Sequence, residues 1–254
     1  MRRLHLFEIE DQPWCPAVVR DAMTDYLRTL FALGKPYAPA LPLLREAVVG
    51  SQSVVDLCSG GGGPWVDFSR EVDVPVVLTD WYPNHDAFAR AAECSGGQVR
   101  GHGARVDATA VPPELRGFRT LFTSFHHFAP AKARAILRDA VRAGEGIAIF
   151  EITRRRWSTI LLIGLTTAPI ALLLSLAARP VSWLRLALHW LIPVVPLACA
   201  FDGVVSCLRS YTPDELLAMA REAAPEDYEW RSGEAWGWGP IPVTYLVGRK
   251  AITP

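Results

Sequence analysis

Three aspartates stand where apolar runs end: Asp56 after Val54-Val55, Asp80 after Val76-Val77-Leu78-Thr79, and Asp107 directly after Val106. Between the first two lies Cys58-Ser59-Gly60-Gly61-Gly62-Gly63-Pro64-Trp65. Glycine in such a turn lets the backbone bend tightly and approach a ligand with no Cβ in the way. An acid closing the second strand of a doubly wound sheet is placed to accept hydrogen bonds from a ribose diol. One closing the third would take an adenine amino group. Two common nucleotide signatures fail here. Counting G-x-G-x-x-G from Gly60 or Gly61 puts Trp65 or Val66 at the last glycine, and no lysine closes the turn as a P-loop requires. With no cationic clamp for phosphate, the residues fit a nucleoside without phosphates. His126 and His127 follow a fourth apolar run at 119–124. Ligands bind beyond the carboxyl ends of strands in such sheets, and imidazole has the pKa of a general base. The blander roles stay open: strand-end acids also cap helices, and a histidine also packs. Glu151, after a fifth run, and Tyr211 are further candidates for the base.

The elements that must position these groups alternate in type. Short apolar strands are expected at 53–57, 74–80, 98–106, 119–124 and 146–151, with helices at 64–71, 86–93 and 130–141. That alternation predicts a parallel sheet covered on both faces. Ahead of it, residues 16–34 carry Val19, Met23, Tyr26, Leu27, Leu30 and Phe31 on one helical stripe, with Pro16 at the first position and Gly34 as the stop. A shorter helix is expected at 41–49. Residues 1–50 thus read as an N-terminal helical cover, and the segment 8–14 as too polar for core and able to reach the active site. Near the other end, Thr212-Pro213-Asp214-Glu215 is a capping box opening a helix to about Ala223. Strands at 228–230 and 243–247 would close the sheet edge in antiparallel fashion. Trp236 and Trp238 would wall a substrate or anchor at a membrane interface.

With these residues in order, the chain resembles the class I S-adenosylmethionine-dependent methyltransferases over residues 50–153 and 201–250. Val54 to Gly62 is similar to the glycine-rich first motif of that family, with Cys58 where the first glycine usually stands. Asp80, 24 residues beyond Asp56, matches the ribose-binding acid, and Asp107-Ala108 the adenine-side position. Residues 123–128, Thr-Ser-Phe-His-His-Phe, resemble the segment that lines cofactor and substrate. The resemblance implies a Rossmann-like, mostly parallel seven-stranded sheet with an antiparallel last strand. It also implies S-adenosylmethionine as cofactor, held by Asp56, Cys58, Ser59, Gly60, Gly62, Asp80, Trp81, Asp107, Ala108 and Ser124, with His126 or His127 as base.

Composition narrows the partners. Lys+Arg 26 against Asp+Glu 26 leaves a formal net charge of zero, which gives no sign of an electrostatic nucleic-acid binder. The five cysteines are scattered without metal-ligand spacing, as free thiols of a reducing compartment are. The basic N-terminus has no apolar stretch behind it and does not read as a signal peptide. Mean hydropathy is +0.17, and the excess is local. Residues 157–178 contain no charge, and a second apolar run covers 186–200. Three readings of 154–200 stand: a helical hairpin dipping into or lying on a membrane, a lid over an apolar pocket, or two spans. Arg154-Arg155-Arg156 before the first run and Arg179 and Arg185 between the runs disfavour two spans. The expected function is methyl transfer to an apolar or lipid-like small molecule, in the cytoplasm or at the cytoplasmic face of a membrane. The rival is a non-catalytic scaffold that keeps the fold and is anchored by its apolar hairpin.

Overall fold

The computed structural model describes residues 1–177, 182–224, 228–237 and 239–250. The chain divides into two compact units, Met1–Lys35 with Thr153–Tyr211, and Pro36–Ile152 with Thr212–Pro254.

The larger unit is built on seven strands: β1 Val54–Asp56, β2 Val76–Leu78, β3 Val99–Gly101, β4 Phe118–Phe122, β5 Ile147–Glu151, β6 Tyr228–Ala235 and β7 Val243–Lys250. Their order across the sheet is β3-β2-β1-β4-β5-β7-β6. β1 to β5 pair in parallel, and β7 runs antiparallel to both β5 and β6. This is the expected sheet, reversed last strand included. Every residue of β1, β4 and β5 is buried, as a parallel sheet covered on both faces requires. The third strand is three residues, far shorter than the expected 98–106. Phe88 packs so closely on Gly101 that a Cβ there would lie 2.5 Å from its ring. The helices of this unit are α2 Leu41–Ala47, α3 Trp65–Phe68, α4 His85–Cys94, α5 Pro130–Arg142 and α9 Pro213–Ala223. The capping box that opens α9 forms in full, Thr212 accepting from the Glu215 N–H and Glu215 from the Thr212 N–H.

The smaller unit gathers α1 Ala17–Gly34 with α6 Trp157–Ser175, α7 Trp183–Trp190 and α8 Val194–Arg209. Val19, Met23 and Tyr26 of the predicted α1 stripe pack with Ala171, Val195 and Ala198. The helix ends at Gly34 as expected, and the left-handed φ (43°) falls on its C-cap, Lys35. Two sequence expectations change here. The insert is three helices rather than a two-helix hairpin, and α8 runs straight through 200/201, where the boundary was expected, because buried Val205 and Cys207 continue its apolar face. Of the segment 8–14, expected to be too polar for core, Glu8 alone goes inside and the rest is half-buried or exposed. Glu8 is fully buried beside Arg209 (3.3 Å). The Ile9 and Glu10 N–H groups donate to Asp202 at 2.7 and 3.1 Å. Arg209 also pairs with Asp11 at 3.1 Å. These polar partners satisfy the buried backbone and charges that the segment brings with it. Burial, with the charges of Glu8 and Asp11, raises the Asp202 carboxyl to about 6.

Candidate cofactor and catalytic site

The turn after β1 is held by its own backbone before any ligand is considered. The Ser59 hydroxyl donates to the Asp56 carbonyl (3.0 Å) and accepts from the Thr79 N–H (3.1 Å). The Thr79 hydroxyl donates to the same carbonyl at 2.8 Å. Ser59 is buried, so it braces the turn. Gly60 and Gly62 have positive φ, 49° and 99°, and open space lies where a Gly60 Cβ would be. Cys58 adopts φ 57° without being glycine, a conformation that costs an L-residue about 1–2 kcal/mol. Cys58→Gly is therefore expected to leave thermal stability within about 1 kcal/mol of the parent. Cys58→Val puts a branched Cβ in that conformation and should lose about 2 kcal/mol or more in a urea melt.

The acids converge on this turn. Asp56 is buried and accepts the Thr120 hydroxyl at 2.6 Å. Burial raises its carboxyl to about 6, against the ion-favouring contacts of Thr120, Trp65 and Ser59. Asp80 reaches from the end of β2 to accept the Gly60 N–H (2.9 Å) with one oxygen and the Tyr82 N–H (2.8 Å) with the other. Burial raises its carboxyl too, partly offset by those N–H donors and by the nearby His127. Asp107 is exposed and closes a local turn by accepting the Thr109 N–H and hydroxyl through one oxygen. Ala108 beside it is buried. Trp81, next to Asp80, keeps 48% of its surface exposed. Burial pushes the Cys58 thiol well up, and the charges of Asp80, Asp56 and Asp107 add to it. The surroundings are anionic, and they suit a cationic ligand far better than a phosphate.

The second cluster forms where β4 and β5 end side by side. Thr123 follows β4 with φ 43°, an outlier for a β-branched residue. Two donors hold it there: the Tyr37 hydroxyl at 2.7 Å and the Ile152 N–H at 3.1 Å, both onto its Oγ1. The reversal leads through Ser124, which is buried, into a single 3₁₀ turn, Phe125–His127. Glu151 ends β5 and takes this turn in its carboxylate. One oxygen accepts the Phe125 and His126 N–H groups (2.7 and 3.3 Å), and the other pairs with His126 Nδ1 at 2.6 Å. His126 is 1% exposed, and the half-buried His127 lies with its ring centroid 4.3 Å from that of His126. The two histidines are thus distinguished: His126 is oriented by an acid, and His127 bears on Asp80.

The sequence reading named Glu151 but missed its pairing with His126. The signal was available, because Phe122 and Phe150 are partners in the β4–β5 register, which sets the strand ends together. Tyr211 belongs to the smaller unit, where the Arg3 guanidinium lies 4.0 Å over its ring. Trp236 is exposed beyond β6, and Trp238 lies outside the described residues.

No protein-family model matches the sequence, and no curated protein matches it. Solved structures do match in shape. The plantazolicin methyltransferase BpumL in complex with S-adenosylhomocysteine is 10% identical at a TM-score of 0.56, covering 95% of this chain and 92% of its own. An O-methyltransferase from neocarzinostatin biosynthesis, solved with S-adenosylmethionine and 2-hydroxy-5-methyl naphthoic acid, is 15% identical at 0.55, over 92% of this chain and 58% of its own. An O-methyltransferase family protein from Burkholderia thailandensis is 15% identical at 0.50, over 86% and 57%. The present chain thus spans little more than half the length of the latter two. The sheet order, the reversed β7 and these likenesses agree: the chain has the fold of the class I S-adenosylmethionine-dependent methyltransferases.

Proposed function

We propose that this chain is an S-adenosylmethionine-dependent methyltransferase acting on a hydroxyl of an apolar, lipid-like small molecule at the cytoplasmic face of a membrane. The observation that carries the reading is the acid-oriented His126 beside an acid-lined glycine turn. Bound at that turn, the cofactor supplies a methyl group on a positively charged sulfur. The residues fit it. Asp56, Asp80 and Asp107 give the cation an anionic surround, and positive-φ Gly60 lets the backbone approach. Asp80 can take a ribose diol, the exposed Trp81 ring a flat base, and Asp107 an amino group. Cys58, Gly62, Ala108 and Ser124 complete the lining.

On the acceptor side, Glu151 fixes the Nδ1–H of His126, so that Nε2 presents a lone pair. That nitrogen takes the proton of the acceptor hydroxyl, and the imidazolium so formed is stabilised by Glu151. Holding the hydroxyl in line with the methyl group contributes a further part of the rate. The naphthoic acid held by the neocarzinostatin enzyme supports a small apolar acceptor. Incubation with methyl-labelled S-adenosylmethionine and a panel of phenolic and isoprenoid-tailed alcohols tests the reading. Label should enter the organic phase with the parent protein and not with His126→Ala. Label that never leaves the aqueous phase, across the panel, contradicts it.

The raised carboxyls give a pH signature. Asp56 titrates at about 6 in the folded chain against 3.8 as its ordinary value. Its contribution to stability is therefore full below about 3.8 and lost as pH rises through about 6. Ionised Asp56 is the form that suits a cationic ligand. Affinity for S-adenosylmethionine should rise by about tenfold between pH 5 and 7.5, and the thermal upshift it causes should grow in parallel. Isothermal titration at the two pH values reads both the sign and the size.

A further inference from the structure

The smaller unit turns apolar side chains outward. Leu161, Leu165 and Leu173 on α6 are exposed, as are Trp183, Leu184 and Trp190 on α7, Leu191 and Ile192 after it, and Leu197 on α8. Trp183 is 83% exposed. Among the described residues of 157–201 the one charged side chain is Arg185, which is buried and paired with Asp25 at 3.0 Å; Arg179, between α6 and α7 in sequence, lies outside the described residues. By length α6 would cross a bilayer, its 19 residues rising about 28 Å.

Its packing argues against a crossing. A Cβ on Gly203 would meet Ile163 at 2.8 Å and Thr167 at 3.8 Å, and Gly164 faces Val204. Toward the other end, Ala171 of α6 shares a core with Val195 and Ala198 of α8. The two helices are therefore antiparallel, and Gly203 is level with the middle of α6. Adjacent Asp202 binds the non-helical Ile9 and Glu10 backbone there, and Glu8, Asp11 and Arg209 follow toward the α8 end. A spanning α6 would set this irregular, ionic segment in hydrocarbon, which membrane proteins avoid when such backbone faces lipid. Beyond that level, nine residues remain on each helix, Thr167 to Ser175 and Asp202 to Val194. They reach about 12 Å, close to the ~15 Å hydrocarbon depth of one leaflet. α7 closes this end, turned 67° from α8 and tied to α6 by the Trp190 indole N–H on Ser175 Oγ (3.1 Å).

We propose that the α6–α7–α8 tip inserts into a single leaflet of an anionic bilayer and does not cross it. Charge selects this occupant over a second copy of the chain. The smaller unit carries 11 Arg and Lys against 6 Asp and Glu, a net +5, which repels the same unit of a second copy and attracts an anionic surface. The proposal stands apart from the methyl-transfer reading.

Vesicle flotation with the full chain tests it. The parent should float with phosphatidylcholine–phosphatidylglycerol vesicles and about tenfold less with phosphatidylcholine alone. The variant Trp183→Glu/Leu191→Glu, changed only at exposed sites, should lose at least tenfold of the bound fraction while keeping its melting temperature. Val49→Glu, an equally exposed site in the larger unit, should float like the parent. For depth, Ser182→Cys in a Cys94→Ser background is treated with a membrane-impermeant maleimide outside the vesicles or sealed within them. Protection on both sides is the expected result. Labelling from the lumen means a span, labelling from outside means surface contact alone, and either overturns single-leaflet insertion. A parent that ignores vesicles, or that forms a dimer abolished by the double substitution, overturns the lipid occupant.

Discussion

Glu151→Gln is expected to slow methyl transfer by about 10²- to 10⁴-fold with little change in the affinity for S-adenosylmethionine. Glutamine is nearly isosteric and its carbonyl can still accept the Phe125 N–H that Glu151 accepts at 2.7 Å. Its amide NH₂ then faces His126 Nδ1, where the carboxylate oxygen stood at 2.6 Å. To accept from that NH₂, Nδ1 must give up its hydrogen, and the proton moves to Nε2. The ring then presents a donor to the acceptor hydroxyl in place of the lone pair, the wrong tautomer for a base. The loss should fall in single-turnover transfer and ease at higher pH, where the acceptor hydroxyl ionises unaided. Equal loss in cofactor affinity would mean that Glu151 supports the whole site and not the base.

Asp80→Ala is expected to weaken cofactor binding by at least about 100-fold, or about 2.8 kcal/mol. Both its oxygens already draw the turn together, one on the Gly60 N–H and one on the Tyr82 N–H. Removing them takes away the acceptors proposed for the ribose diol and leaves the part-buried Gly60 N–H without its partner, at a cost of about 1–3 kcal/mol for a buried donor. Asp80→Asn keeps one acceptor oxygen but points an NH₂ at the other donor, so it should recover only part of the loss. Equilibrium titration of the three proteins orders them, and an alanine variant that binds like the parent would remove Asp80 from the site.

Asp56 and Asp80 were legible because each ends an apolar run, and a strand end fixes where its side chain points, whereas Asp107 stands six residues beyond β3 in a local turn. The 3.6-residue stripe of α1 was legible for a similar local reason, and so was the Thr212–Glu215 box. What escaped is set by contacts distant in sequence. His126 meets Glu151 only through the β4–β5 register. Glu8 is buried beside Arg209 and Ser206, which come from a helix about 200 residues away. Thr123 at φ 43° runs against what a β-branched residue prefers, and only the Tyr37 and Ile152 hydrogen bonds explain it. The charge-free stretch at 157–178 was legible as apolar, but not the level at which α8 packs against the helix it forms.

The central claim is that an acid-lined glycine turn holds a phosphate-free, cationic nucleoside cofactor. Isothermal titration of the full chain with S-adenosylmethionine, S-adenosylhomocysteine, NAD and ATP at pH 7.5 tests it most directly. The account predicts saturable one-to-one binding of the first two, lost in Asp80→Ala, and no heat from NAD or ATP. Binding of NAD or ATP in preference to S-adenosylmethionine, or no binding of S-adenosylmethionine at all, would contradict it.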